Sequence, residues 1–139
     1  MTEEEVFLDY VRAFEDAYSS NDWSRLSRCF TSDVVHDTGL GQEISGRDAV
    51  INYLKESTEG FDRCFDSRTP SFGEVTVSDN QVSSPWRFIY KKEGAPELVT
   101  SGVEVAEILG DSISRLNSVF DEGVPERIQE WMAEYGTLL

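Results

Sequence analysis

The stretch from Phe30 to Leu54 constrains the fold of this chain more than any other. It reads FTSDVVHD, then a glycine-rich turn, then SGRDAVINYL. The residues Val34–Asp37 favour a short strand, and the apolar spacing within 45–54 favours a helix opened by a Ser-Gly turn. The strand carries the only histidine, His36, beside the carboxylate of Asp37. A site that uses either side chain would therefore lie where this strand ends.

Helices are predicted on the N-terminal side of this stretch. Thr2 and Glu5 form a capping-box pattern, and apolar residues recur at three- and four-residue steps through 2–20. After a break at 19–21, Asp22 is predicted to cap a short helix. That helix would turn four side chains inward: Trp23, Leu26, Cys29 and Phe30.

The second half of the chain is rich in β-branched and aromatic residues separated by turn signals, as expected for a run of hairpins. The predicted strands cover 62–68, 74–78, 82–90, 98–109 and 112–120. Pro85 predicts an edge strand or a bulge, and Gly110 with Asp111 predicts a two-residue hairpin turn. A last helix is predicted from Pro125 to Tyr135, stopped by a glycine.

This order of elements predicts a single α+β domain over 1–139, in which helices gather on one face of a curved antiparallel sheet.

The chain has no long apolar run and no signal-peptide pattern, so a cytoplasmic protein without membrane contact is expected. With 27 acidic and 12 basic residues the net charge is −15, which argues against nucleic acid as a partner. Cys29 and Cys64 are expected to be reduced thiols, and one histidine without a Cys-x-x-Cys pair predicts no metal site.

Three segments together resemble the nuclear-transport-factor-like superfamily, in its SnoaL-like and ketosteroid-isomerase-like branch. They are SNDWSRLSRCFTSDVVHD, SGRDAVINYL and GDSISRLNSVFD, and the resemblance runs from about residue 3 to 122. It implies a cone-shaped curved sheet wrapped around N-terminal helices, with an apolar pocket for a small hydrophobic molecule, no cofactor, and a homodimer formed through the convex sheet face. The C-terminal helix is extra relative to the shorter members.

The isomerases of this superfamily imply roles for three positions. Their general-base aspartate lies at the end of the short strand, where this chain has Asp37 after a one-residue deletion, with His36 as the alternative base. The protonated carboxyl of their oxyanion hole lies six residues before the hairpin glycine, where this chain has Glu104. The tyrosine that completes that hole is replaced by Phe14, so steroid isomerisation itself is not expected.

Strand parity predicts which other side chains share the pocket with Glu104, because alternate residues of a strand face the same side. The expected catalytic residues are Asp37, His36 and Glu104. The expected ligand-pocket residues are Phe14, Tyr18, Trp23, Tyr53, Trp86, Phe88, Leu116, Ser118 and Phe120. In such a cavity Glu104 would be desolvated and its pKa raised, so that it could donate a hydrogen bond to a carbonyl oxygen.

A structural explanation remains open for each candidate. Glu104 could be solvated while its valine neighbours are buried, His36 could be a satisfied polar residue at the cavity edge, and Asp37 could cap the turn that follows it. Three functions stay open accordingly. They are a cofactor-independent isomerase, cyclase or lyase acting on a small apolar carbonyl compound, a non-catalytic module for a hydrophobic ligand, and a dimeric interaction protein with an acidic surface.

Overall fold

A computed structural model describes all 139 residues, and its N-terminal helices confirm the sequence pattern. Helix α1 spans Glu3–Ser20, and the Thr2 hydroxyl and the Glu5 side chain form the reciprocal capping box. A 3-10 helix then covers Trp23–Cys29, with the Asp22 carboxylate accepting from the Ser24 amide. The break at 19–21 ends in Asn21, whose left-handed backbone turns the chain.

The central stretch also forms the predicted strand and helix, with one further strand between them. Strand β1 spans Phe30–Asp37, β2 spans Glu43–Ser45 and α2 spans Arg47–Gly60. β1 begins four residues earlier than predicted because Phe30 already pairs with the last strand of the sheet. β2 was not predicted, since three residues are too few to show alternation and only their pairing with β1 makes them a strand.

Five more strands complete a seven-stranded sheet: β3 Ser67–Phe72, β4 Thr76–Ser78, β5 Gln81–Lys91, β6 Leu98–Leu109 and β7 Ser112–Phe120. Their order is β2-β1-β7-β6-β5-β3, and β4 also pairs with β5. Only the β1–β7 pair is parallel. The sheet is long, curved and not closed. The weak strand predicted at 62–68 lies too early, because a 3-10 helix occupies Asp62–Cys64 and the strand follows it.

Pro85 lies in an interior strand, so the edge position is wrong. The other alternative, a bulge, agrees with the register, in which residues 73–75 stand opposite Ser84 and Pro85. β5 is paired with β6 on one side and with β3 and β4 on the other. The Pro85 carbonyl accepts from the Gly73 amide, in the interval between β3 and β4. The proline nitrogen therefore faces a point at which the neighbouring strand is interrupted, and no ladder hydrogen bond is lost there.

The main core lies between α1, the 3-10 helix and the inner face of the sheet, and it contains Cys29. Both cysteines are free. A second apolar cluster of Phe65, Tyr90, Leu98 and Trp131 joins the last helix, α3 (Val124–Tyr135), to the far end of the sheet. None of the helices has the length and apolarity that crossing a bilayer requires.

Candidate functional site

The inner face of the sheet and the three helices line a cavity of about 420 Å³. This volume falls within the range of small-molecule sites, and most of the lining side chains are hydrophobic. Eight of the predicted site residues line it: Phe14, His36, Tyr53, Trp86, Phe88, Glu104, Ser118 and Phe120. From α3 the lining includes Ile128 but neither Trp131 nor Met132, so the extra helix borders the cavity without filling it.

Glu104 points into this cavity from the middle of β6. Its cross-strand neighbours on the same face are Ser84 of β5 and Ser118 of β7. The Ser118 hydroxyl donates to the Glu104 carboxylate, with Oγ 2.9 Å from Oε1 and 3.1 Å from Oε2. Burial raises the pKa of Glu104 to about 8, although the Ser118 hydrogen bond opposes the shift. At neutral pH Glu104 therefore carries a proton that it can donate to a ligand oxygen.

Tyr10 places a phenol hydroxyl beside Glu104, although the helix position that holds a tyrosine in the isomerases is occupied here by Phe14. Tyr10 is one helical turn before Phe14 on α1, is 8% exposed and lines the cavity. Burial and then the nearby charge of Glu104 raise its pKa well above the ordinary value, so the hydroxyl keeps its proton. Sequence reasoning missed this residue because Tyr10 lies on the apolar stripe of α1, where a tyrosine reads as core.

His36 faces the same cavity from β1 and is 3% exposed. Its Nδ1 lies 2.9 Å from the Leu116 carbonyl oxygen. Because a carbonyl oxygen only accepts, Nδ1 carries the proton and donates, and Nε2 keeps its lone pair. Burial lowers the pKa of His36, against the opposing effects of this hydrogen bond and of Asp37. The ring is therefore a neutral imidazole with Nε2 available as a base.

Asp37 does not line the cavity, which corrects its assignment as a candidate base. Adjacent strand residues point to opposite faces, and it is His36 that points inward. The Asp37 carboxylate instead accepts a hydrogen bond from the Gly39 amide at 3.0 Å. This is the turn-capping role that the sequence left open for Asp37.

Three predicted pocket residues also lie outside the cavity lining. Leu116 is fully buried in the core beneath it. Trp23 packs edge-on against Phe14, at 5.6 Å between ring centroids, and so stands behind the wall that Phe14 forms. The ring of Tyr18 packs against the guanidinium groups of Arg63 and Arg68. Strand parity for Leu116 and helical spacing for Trp23 and Tyr18 predicted the inward side, but neither pattern distinguishes the cavity lining from the layer behind it.

An aromatic wall beside Glu104 depends on a glycine. Trp86 and Phe120 meet edge-on with their ring centroids 5.4 Å apart, on either side of Gly102 of β6. A β-carbon at position 102 would lie 2.9 Å from the Trp86 ring and would also collide with the Val119 carbonyl oxygen. Because Gly102 has no side chain, the rings of Trp86 and Phe120 can pack against each other above β6.

A second polar group at the cavity, centred on Arg68 of β3, was not predicted. The Arg68 side chain is 4% exposed, and its terminal nitrogens donate to both Glu15 carboxylate oxygens at 3.0 and 3.2 Å. Its Nε lies 3.2 Å from the Asp62 carboxylate. Burial raises the pKa of Asp62 to about 6, opposed by Arg68 and by the Tyr90 hydroxyl. The only indication of this polar group in the sequence was Glu15, an acidic residue beside the apolar stripe of α1.

No three histidine, cysteine or acidic side chains are arranged to hold a metal ion. The chemistry that the cavity offers in its own residues is therefore hydrogen-bond donation by Glu104 and Tyr10, proton acceptance by His36, and the polar group around Arg68.

Comparison with known proteins agrees with this architecture. The family model of the SnoaL-like domain matches residues 11–116. No curated protein matches the chain. Among solved structures, Bal32a from a soil-derived mobile gene cassette superposes with a TM-score of 0.69 at 18% identity, covering 94% of this chain and 99% of that one.

Two further structures are similar in fold. A putative polyketide cyclase from Xanthomonas campestris pv. campestris is 21% identical, with a TM-score of 0.60 and coverage of 95% of this chain and 98% of its own. TerC, co-crystallised with polyporic acid, is 13% identical, with a TM-score of 0.69 and coverage of 94% and 98%. At these identities the likeness concerns the fold alone.

Proposed function

This chain belongs to the SnoaL-like domain family, and we propose that it binds a small, mostly apolar carbonyl compound and catalyses proton transfer at the carbon next to the carbonyl. The observation that carries the proposal is a protonated carboxyl group, Glu104, in an apolar cavity that also holds a neutral imidazole, His36. An isomerase, a cyclase and a lyase all begin with such a step.

In the proposed mechanism the substrate carbonyl oxygen accepts hydrogen bonds from the Glu104 carboxyl and the Tyr10 hydroxyl. His36 removes the proton from the adjacent carbon with Nε2, while its Nδ1–H stays bonded to the Leu116 carbonyl. The negative charge that develops on the oxygen is stabilised by donors that are already in place. The aromatic wall makes the surroundings of these donors apolar, which strengthens these hydrogen bonds in the transition state.

Hydrogen–deuterium exchange measured by NMR tests the catalytic step without knowledge of the natural substrate. 4-Phenylcyclohexanone in D₂O is the probe, because its ketone has exchangeable α-protons and its phenyl ring suits an apolar cavity. We expect the protein to accelerate exchange, and both His36→Gln and Glu104→Leu to reduce the rate at least 100-fold, the range of one general acid or base. Asp37→Asn is the matched control and should keep the wild-type rate, because Asp37 faces away from the cavity.

Binding of the ketone without accelerated exchange would contradict catalysis and leave the non-catalytic binding module as the function. Exchange that survives both cavity substitutions would show that these residues do not carry the reaction.

A further inference from the structure

The cavity has polar groups at two places, and only the Glu104 end is used by the proposed mechanism. The other comprises Arg68, Asp62, Glu15 and Tyr90, all of which line the same cavity. Phe14 lies between the two ends, because its ring centroid is 6.4 Å from that of Tyr10 and 5.8 Å from the Arg68 guanidinium. The cavity therefore has two polar ends separated by an apolar section.

Arg68 is held rigidly at its end of the cavity. Its guanidinium lies between the rings of Tyr18 and Phe88, 4.6 Å from each ring centroid, and Glu15 binds both terminal nitrogens. Of the donors that Glu15 does not use, Nε–H is buried and has no well-aligned acceptor, although Asp62 lies 3.2 Å away. A buried donor without a partner costs free energy that a suitably placed ligand oxygen would recover.

The charges of this cluster select the ligand group that fits. A carboxylate ligand would be repelled by Asp62 and Glu15. An ammonium ligand has only donors, so it could not accept a hydrogen bond from the Arg68 Nε–H. A hydroxyl group is neutral, and it can accept from the Arg68 Nε–H while donating to the Asp62 carboxylate. A hydroxyl group therefore satisfies both neighbours without adding charge.

The spacing of the two ends sets the length of the ligand. On α1, Tyr10 of one end and Glu15 of the other are five residues apart, an axial rise of about 7.5 Å. On β5, Ser84 is paired with Glu104, and Phe88 lies under Arg68. Ser84 and Phe88 are four residues apart in β5, or about 13 Å along an extended strand. The two ends are therefore roughly 10 Å apart.

We propose that the Arg68–Asp62 end is a hydroxyl-binding subsite, so that the substrates of this cavity carry a hydroxyl group roughly 10 Å from the reacting carbonyl. The assignment of the carbonyl to the Glu104 end rests on the proposed function. The hydroxyl subsite itself rests on the geometry of Arg68 and Asp62.

Isothermal titration calorimetry with a matched ligand series tests the subsite. 4-(4-Hydroxyphenyl)cyclohexanone should bind about tenfold more tightly than 4-phenylcyclohexanone, which corresponds to about 1.4 kcal/mol. The methyl ether, 4-(4-methoxyphenyl)cyclohexanone, accepts but cannot donate, and should lose most of that gain. Equal binding of the hydroxyl and phenyl compounds, or tighter binding of the matching carboxylic acid, 4-(4-oxocyclohexyl)benzoic acid, would overturn the proposal.

Variants locate the effect at Asp62. Asp62→Leu should abolish the preference for the hydroxyl compound, and Asp62→Asn should reduce it if the leucine variant does not fold, as judged by circular dichroism. Asp33→Asn, on the exposed part of β1, should preserve the preference. A tenfold preference that persists in Asp62→Asn and in a folded Asp62→Leu would also overturn the subsite.

A ligand without a ketone separates this proposal from the proposed function. If 4-cyclohexylphenol binds in an Asp62-dependent manner while the ketones bind no better and exchange no protons, the carbonyl chemistry fails and the hydroxyl subsite stands. If the ketones bind and exchange with no gain from the hydroxyl, the subsite fails and the proposed function stands.

Discussion

At the residue scale, Glu104 links the chemistry of the site to the stability of the fold. Its position on a strand facing an apolar cavity disfavours the charged form, and the single Ser118 hydrogen bond does not compensate. An acid retained in this setting weakens the fold whenever it must ionise. Such a cost is common at functional sites, where a perturbed pKa serves the reaction.

This cost predicts a pH dependence of stability. The pKa of Glu104 is about 8 in the folded state and 4.5 in the unfolded state. Below pH 4.5 both states are protonated, and between the two values the unfolded state loses its proton first. The free energy of unfolding therefore decreases as pH rises from about 4.5 to about 8, because the unfolded state gains from ionising Glu104 before the folded state does. Glu104→Gln stays neutral, so it should be more stable than wild type at pH 9, on the order of a few kcal/mol.

Urea unfolding at pH 5 and at pH 9 measures this difference. Glu107→Gln is the control, because Glu107 lies on the opposite face of β6, across from Arg115. Parallel loss of stability in wild type and Glu104→Gln would mean that Glu104 does not control this pH range.

At the scale of elements, β6 owes its close packing at the cavity to Gly102. A β-carbon there would overlap the Val119 carbonyl and lie 3.0 Å from the Phe120 backbone, so the sheet or the aromatic wall must move. We expect Gly102→Ala to lower the free energy of unfolding by about 1–3 kcal/mol, as overpacking does. Thermal unfolding with ligand-binding titration checks both consequences.

Gly60→Ala provides the comparison for Gly102→Ala. Gly60 is the last residue of α2, and a β-carbon there meets no atom within 4 Å. This variant should be neutral or slightly stabilising. Equal destabilisation by both variants would indicate a general cost of replacing glycine and not a steric demand at β6.

The C-terminal helix α3 is a structural part of the domain. Trp131 is 6% exposed, packs against Phe65 at 5.2 Å between ring centroids, and donates from Nε1 to the Pro96 carbonyl at 2.9 Å. We expect Trp131→Ala to cost about 3–5 kcal/mol in denaturant unfolding. Gln129→Ala, on the exposed side of the same helix, should change stability by less than about 0.5 kcal/mol. A small effect of Trp131→Ala would show that α3 is a dispensable addition.

At the scale of the whole molecule, the outer face of the sheet remains without a covering element. Val103 and Val119 form a cross-strand pair on this face, and Val119 is 53% exposed. The homodimer expected from the family resemblance would bury this face. A two-fold interface places the same patch on both subunits, so one charge on the patch appears twice in the contact.

Light scattering on a size-exclusion column tests the dimer. Wild-type protein should have the mass of two chains, and Val119→Asp should have the mass of one with an unchanged circular dichroism spectrum. Leu109→Asp, at the β6–β7 hairpin, should remain dimeric. A wild-type mass of one chain would contradict the expectation.

The sequence by itself determined the order of the elements, because their signals are local. The capping box of Thr2, the turn at Gly110 and the alternation along β6 each depend on neighbours within a few residues, and each prediction is confirmed. The same alternation predicted which residues share a face with Glu104, but the sequence left open whether that face or the valine face is buried, and the structure turns Glu104 into the cavity. β2 escaped prediction because its pairing with β1, and not its own composition, makes it a strand.

Only the tertiary structure decided which residues meet in the cavity. His36 and Asp37 are adjacent in sequence, and only the packing of β1 against β7 selects His36. Arg68 and Glu15 are 53 residues apart, so no local pattern reveals their ion pair. A cavity is formed by the spatial arrangement of distant segments, whereas periodicity reports only which side of one segment is apolar. The shape and charge of the site therefore became visible only once α1 was packed across the curved sheet.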